Sequence, residues 1–308
     1  MKVLVTGVTG QLGYDCVQEL ERRGIEVRGV ASRDFSLTDH AAAKRYIETY
    51  RPDVIIHCAA YTAVDKAEDE QEICEAINAE GTRNLAKIAQ ELAAKMIYIS
   101  TDYVFPGDGE RFYEPADKKA PQNAYGLSKL HGEEAVQELV EKYFIVRISW
   151  VFGINGRNFI RTMLKLAETH DTLTVVDDQI GSPTYTHDLA VLLADMAQSD
   201  KYGVYHATNE GVCSWAELAA ETFRQAGRKV TVTPVPSSAY STKAVRPKNS
   251  RMSKDCLEAA GFHRLPAWQD AVGRYLHELN SKAEEILNMS MIYAHIPKIC
   301  AYFSTQYK

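Results

Sequence analysis

Tyr125 and Lys129 stand four residues apart in Tyr125-Gly126-Leu127-Ser128-Lys129, so a helix carries both on one face, within reach of one ligand. A phenol with an ordinary pKa near 10 is a poor proton donor to a ketone at neutral pH. A neighbouring ammonium stabilises the phenolate and lowers that pKa, so Tyr125 can deliver a proton while a nicotinamide delivers hydride. Thr101, about two dozen residues upstream at the end of an apolar run, is placed to hydrogen-bond the carbonyl oxygen. A Tyr-x-x-x-Lys pair alone is common by chance; its weight comes from a second feature. Gly7-x-x-Gly10-x-x-Gly13 follows the first apolar run and opens a helical pattern. Without side chains there, the backbone can turn sharply, approach a pyrophosphate closely and present N–H groups at the positive end of a helix. The next strand runs out into Val30-Ala31-Ser32-Arg33, where an NAD-selective site usually carries an acid for the adenosine ribose. A hydroxyl and a guanidinium, Ser32 and Arg33, can instead receive a ribose 2′-phosphate. NADPH is therefore the expected cofactor, with NADH as the alternative because Asp34 follows directly.

These groups need elements that bring them to one edge. β-branched or uniformly apolar runs predict strands over residues 2–6, 26–30, 54–60, 96–100 and 143–150, and helical spacing predicts helices over 14–23, 41–50, 73–95 and 123–142. Runs apolar throughout are what strands covered on both faces require. Regular alternation with short connections implies an α/β fold, a doubly wound parallel sheet of the Rossmann type with helices on both faces. Beyond Gly153 the regularity fails: helices are expected over 158–169, 187–197 and 214–226, a short strand over 172–177, and an extended loop over the proline-rich stretch 234–251. The expected organisation is a cofactor-binding domain over 1–152, a smaller substrate-binding domain over 153–280 partly interleaved with it, and a tail, 281–308, of different character and unassigned role.

Composition removes other classes. The 308 residues suffice for one large domain or two modest ones without disulfide staples. The net charge is −6 and no block of basic residues occurs, so nucleic acid is not an expected partner. No apolar run approaches the roughly 18 residues needed to cross a bilayer, so no membrane association is expected. The first residues lack the apolar stretch of a secretory signal, and the expected location is the cytoplasm. Six cysteines (Cys16, Cys58, Cys74, Cys213, Cys256 and Cys300) never form Cys-x-x-Cys and read as free buried thiols; the nine histidines form no paired ligand motif, so no metal site is expected.

The glycine turn with Thr6 in front has the Thr-Gly-x-x-Gly-x-x-Gly form of the extended short-chain dehydrogenase/reductase superfamily. Added to it are Cys58-Ala59-Ala60-Tyr61-Thr62-Ala63-Val64-Asp65, Ser100-Thr101-Asp102-Tyr103-Val104-Phe105, Trp150-Val151-Phe152-Gly153, Gln179-Ile180-Gly181-Ser182-Pro183-Thr184 and Arg246-Pro247-Lys248-Asn249-Ser250-Arg251. Together they resemble the dTDP-4-dehydrorhamnose reductase family over about residues 1–280. The resemblance implies an NAD(P)H-dependent oxidoreductase that reduces the C4 keto group of dTDP-4-dehydro-L-rhamnose to dTDP-L-rhamnose, with Thr101, Tyr125 and Lys129 as the catalytic trio. Gly10, Gln11 and Leu12 would line the pyrophosphate, Ala59, Ala60 and Tyr61 the ribose side. Thr62, Val64, Asp102, Tyr103 and Trp150 would hold the nucleotide-sugar substrate, the Trp150 indole offering an apolar platform to the sugar's C–H side. Two positions depart from the family pattern. Ser36-Leu37 stands near the adenine where relatives often have Asp-Leu or Asp-Phe, and the acidic set around which some members bind magnesium and dimerise is reduced to Asp15 and Thr186-His187-Asp188. No magnesium-bridged dimer is expected; the protein would be a monomer or a homodimer.

Sister activities read differently at single residues. A nucleotide-sugar 4,6-dehydratase needs Thr-Asp-Glu, and this chain has Thr101-Asp102-Tyr103. A 4-epimerase shares the Tyr and Lys but holds NAD tightly, which Ser32-Arg33 disfavours. A non-catalytic NADP-binding subunit of the same fold is the remaining alternative, against which an intact trio argues without proving turnover.

Overall fold

The computed structural model describes residues 1–282 and 284. Its centre is a six-stranded parallel sheet built from β1 (Lys2–Thr6), β2 (Glu26–Val30), β3 (Val54–His57), β4 (Lys95–Thr101), β5 (Tyr143–Ile148) and the strand Gly203–His206, in the spatial order Gly203–His206, β5, β4, β3, β1, β2. Alternate side chains of each strand enter opposite layers. Val3, Val5, Ile56, Ile97 and Val146 pack under α1 (Gln11–Arg22) and the helix Thr186–Ala197, while Leu4, Ile55, Met96, Tyr98 and Ile145 pack under α2 (His40–Tyr50), α5 (Gly81–Glu91) and α6 (Ala124–Leu139). Burial on both faces is why β1, β3, β4 and β5 are apolar over most of their length, whereas the edge strand β2 is largely exposed; the fold is the doubly wound α/β sheet.

Several expected elements differ in detail. The helix expected over 73–95 is three pieces: α4 (Gln71–Glu75), a π-helical turn Ala76–Glu80 and α5, after the short α3 (Val64–Ala67). In the wide turn the buried Asn78 faces the loop after β3, its side chain accepting from Tyr61 N at 2.8 Å and donating to Tyr61 O at 3.0 Å. The strand expected over 54–60 ends at His57, because Cys58 and Ala59 leave the sheet to pass against Gly7; that over 143–150 ends at Ile148. The stretch 234–251 is not one extended loop: Thr231–Val235 pairs with Thr172–Val176 and Asn249–Ser250 with Ile180–Gly181, so extended chain finds partners at both ends.

The sixth strand of the main sheet and the helix over α1 come from beyond residue 152, so the chain crosses between the sheet and a smaller unit more than once. That unit packs Phe152, Tyr185, Leu218, Trp268 and Tyr275 around helices Phe159–Leu166 and Trp215–Gln225. Five cysteines among the described residues are free thiols. Cys300 and the tail expected over 281–308, apart from residues 281, 282 and 284, lie outside the described residues.

One charge pair is wholly buried. Glu133 of α6 receives Nε and Nη2 of Arg147 from β5 at 2.8 and 2.7 Å and the Ser100 hydroxyl from β4, and the remaining Arg147 prong donates to Pro115 O at 2.9 Å. Removing one member of such a pair strands the other charge out of water, whereas removing both does not. Arg147→Leu should therefore cost about 3–5 kcal/mol of unfolding free energy, and Glu133→Leu with Arg147→Leu should recover much of it. Denaturant unfolding of the single and double variants is the measurement; equal losses in both would show that the pair is not what the fold depends on there.

Candidate active site

The carboxyl ends of β1 to β5 open into a cleft of about 890 Å³. Its floor at one end is the glycine turn. Gly7 has φ +74°, and a side chain there would drive a Cβ to 2.7 Å from the backbone of Ala59. A Cβ on Gly13 would stand 2.4 Å from Gly7 O. Gly10 is the N-cap of α1 and supplies no capping side chain, so the first-turn N–H groups of Gln11, Leu12 and Gly13 have no intrahelical acceptor. An uncapped helix start behind a side-chain-free turn fits the pyrophosphate of a dinucleotide. Asn155 Nδ2 reaches Thr9 O and Gly10 O at 3.1 and 3.2 Å, bringing the loop of Asn155, Gly156 and Arg157 over the same turn.

The cleft gathers most of the residues singled out in the sequence: Gly7, Gly10, Gln11, Leu12, Gly13, Ser32, Ser36, Leu37, Ala59, Ala60, Thr62, Val64, Thr101, Asp102, Tyr103, Tyr125, Lys129 and Trp150 all line it. Two do not. Tyr61 has its backbone clamped by Asn78, and its hydroxyl donates to Glu70, so it does not line the cleft. Arg33 is exposed beside the cleft rather than in its wall, with no hydrogen bond or ion pair to another described residue. Asp34, the acid that left NADH open, spends its carboxylate on its own turn, accepting from Ala31 N at 2.8 Å.

At the other end, α6 starts where Asn123 accepts from Gly126 N at 2.7 Å, which places Tyr125 in its first turn. A Cβ on Gly126 would fall 2.3 Å from Tyr103 O, so the helix sits directly on the turn Asp102–Val104 that follows β4. That close approach brings Tyr125 against Thr101 and sets its ring edge-on to Tyr103, with centroids 5.5 Å apart. One turn on, Lys129 is buried; its ammonium donates to Ile99 O at 2.7 Å and lies 4.1 Å from the centre of the Tyr98 ring. Burial pushes Lys129 down to about 7, with Glu133 pulling the other way. Tyr125 is raised above its ordinary value, first by burial and then by Asp102. The depression of Tyr125 expected from Lys129 is thus not present in this arrangement: the ammonium is turned to a backbone carbonyl, and desolvation holds the phenol protonated.

Trp150 has φ +50°, a left-handed backbone in a bulky residue, and its indole stacks on Trp215 with centroids 3.8 Å apart and planes at 15°. Trp215 was not singled out in the sequence, nor was Arg246, which bonds Asp65 at 2.6 Å and donates to Tyr103 OH at 3.2 Å. Only the run Arg246-Pro247-Lys248-Asn249-Ser250-Arg251 hinted that this segment mattered. The carboxylates considered for magnesium are engaged: Asp188 takes both prongs of Arg274 at 2.6 and 2.7 Å, and Asp15 accepts from Thr186. Among the described residues no group of three or more ligand-type side chains converges on a metal position.

Residues 1–281 match the family described as the RmlD substrate binding domain. The chain is 41% identical over 276 residues to dTDP-4-dehydrorhamnose reductase of Streptomyces griseus, covering 87% of this chain and 91% of that protein. It is 39% identical over 283 residues to the spore coat polysaccharide biosynthesis protein SpsK of Bacillus subtilis (strain 168), covering 92% and 99%. Among solved structures it is similar to dTDP-4-dehydrorhamnose reductase from Bacillus anthracis in complex with NADP, with TM-score 0.88 and 42% identity over 90% of this chain and 99% of that one. Glycine turn, Tyr–Lys helix and these relationships agree, and the chain belongs to the dTDP-4-dehydrorhamnose reductase family.

Proposed function

We propose that the protein reduces the C4 keto group of dTDP-4-dehydro-L-rhamnose to dTDP-L-rhamnose with NADPH, in the cytoplasm, as a monomer or homodimer. The observation that carries this reading is that one cleft joins an uncapped, side-chain-free helix start to a half-buried Tyr125 and the buried Lys129 and Thr101. Residues 1–152 would supply most of the cofactor site and 153–280 most of the substrate side. The glycine turn would hold the pyrophosphate, Ser36 and Leu37 the adenine end, and Ala59 and Ala60 the ribose side. Bound there, the dihydronicotinamide supplies the hydride for the ketone carbon. Tyr125, kept protonated by burial, gives its proton to the carbonyl oxygen as that oxygen becomes basic. Lys129, one helical turn away, stabilises the phenolate that remains when it is charged. Trp150 offers its indole face to the sugar. Tyr103, held by Arg246, fills the position where a dehydratase needs a carboxylate, which supports reduction over elimination. No helix among the described residues is long and apolar enough to cross a membrane.

The substrate assignment is tested with dTDP-, UDP- and GDP-linked 4-ketosugars and NADPH. Turnover is expected with dTDP-4-dehydro-L-rhamnose alone; exclusive activity on another sugar would overturn it. Tyr125→Phe keeps the ring and removes the proton, so single-turnover reduction should slow by about 10²–10⁴ while NADPH affinity survives, since the pyrophosphate turn lies on another strand end. A Tyr125→Phe protein with near wild-type rate would leave the chain better described as a nucleotide-binding subunit. Arg33→Ala should weaken NADPH relative to NADH by about 1.5–3 kcal/mol, the worth of a charge-assisted bond to the 2′-phosphate. Equal loss for both cofactors would remove Arg33 as the phosphate ligand.

A further inference from the structure

Thr101 has one hydroxyl proton, and its environment has already claimed it. Oγ1 donates to Asp102 Oδ1 at 2.9 Å and accepts from Tyr103 N at 3.2 Å. The second Asp102 oxygen accepts from the hydroxyl of Ser250, which belongs to the strand Asn249–Ser250 far along the chain. With the carboxylate ionised, both hydroxyls aim their only protons at it. Thr101 then turns a lone pair toward any ketone oxygen in the cleft, which repels it. One further proton removes the conflict: a neutral Asp102 donates to Thr101 Oγ1, still accepts from Ser250, and releases the Thr101 proton toward the substrate.

Resting on the reductase reading above, we propose that Asp102 is a positioning residue whose neutral form, braced by Ser250, turns Thr101 into the hydrogen-bond donor for the ketone oxygen. No proton is spent at Asp102 in turnover; the one that ends on the product hydroxyl comes from Tyr125. Asp102 is 3% exposed, and burial lifts its carboxyl to about 6 against the opposing bonds from Ser250, Thr101 and the local backbone. The groups around it are Tyr125 from α6, Tyr103 on its own turn, and Ser250 and Arg246 from the segment after residue 240. Arg246 is separated from it by Tyr103 and paired to Asp65, and the Lys129 ammonium is directed to Ile99 O. No cation among the described residues compensates Asp102 directly, and a nucleotide diphosphate entering the cleft adds negative charge and excludes water, both of which favour the neutral acid further.

The test is the pH profile of kcat and KM with dTDP-4-dehydro-L-rhamnose at saturating NADPH, from about pH 5 to about pH 9, for wild type, Asp102→Asn and Ser250→Ala. Because the neutral form is the competent one, wild-type kcat should fall as pH rises through the Asp102 pKa of the complex. An asparagine amide donates to Thr101 and accepts from Ser250 at every pH, so Asp102→Asn should lose that limb, with kcat lowered by up to about tenfold and any limb from Lys129 kept. Ser250→Ala removes a bond that favours the carboxylate, so the limb should move to higher pH with KM little changed. An Asp102→Asn protein that keeps the wild-type limb, or that binds NADPH normally yet has no measurable turnover, overturns the proposal. Should that variant not fold, an unmoved limb in Ser250→Ala overturns it equally. Absence of turnover in wild type would instead strike the reductase reading, and the role of Asp102 with it.

Discussion

The seat of α6 over β4 and β5 fixes where Tyr125 and Lys129 stand in the cleft, and a carboxylate with no access to water fixes that seat. Glu133 is tolerable in the interior only where the guanidinium of Arg147 meets it with two donors and Ser100 satisfies it further. The helix cannot rotate or slide without breaking that match. Its close descent onto the sheet is permitted by Gly126 and Gly132, where a Cβ would fall 2.3 Å from Tyr103 O and from the Tyr98 hydroxyl. Given that seat, the i, i+4 spacing does the rest: Tyr125 meets Thr101, Lys129 reaches Ile99 O, and Glu133 lies one turn beyond.

The same dryness sets the resting charges. Burial raises Tyr125 and lowers Lys129, so both lean toward their neutral forms, and Asp102 leans the same way. A site poised like this holds an acid proton where a reduction needs one. Glu133 is the counterweight: it is the largest influence holding the Lys129 charge against desolvation. Anionic phosphates near the glycine turn would act in the same sense, coupling occupancy of one end of the cleft to protonation at the other.

Much of this was legible in the sequence because the physics is local. Strands buried on both faces must be apolar throughout, a helix start that approaches phosphate must be free of side chains, and two side chains sharing a helix face must be three or four apart; β1, Gly7 to Gly13 and Tyr125 with Lys129 each satisfy one such rule. What was missed depends on partners remote in the chain. Gly203–His206 is too short to announce itself as the sixth strand, and its place is decided by pairing with β5. Tyr61 sits in a stretch that otherwise lines the cleft, yet Asn78, from a π-helical turn with no sequence signature, holds its backbone while Glu70 takes its hydroxyl. Trp215 and Ser250 come to Trp150 and Asp102 only through the tertiary fold.

Trp150 shows how the smaller unit meets the cleft. A left-handed backbone in a non-glycine residue costs of order 1–3 kcal/mol and persists only where its surroundings over-determine it. Here Trp150 O accepts from Thr184 N at 3.1 Å, the flanking Ser149 donates to Ser182 O at 2.7 Å, and the indole lies flat on Trp215. Gly181 leaves the room: a Cβ there would stand 2.9 Å from the indole. Trp215 is in turn held by Gln179 at 3.1 Å and by the ring of Phe159. Every one of these supports comes from beyond residue 148, while Thr101 and Tyr125, which share the cleft, stand on the main sheet and α6. The strained residue therefore carries the geometry of the smaller unit into the cleft, where Trp215 and Gly181 orient its indole.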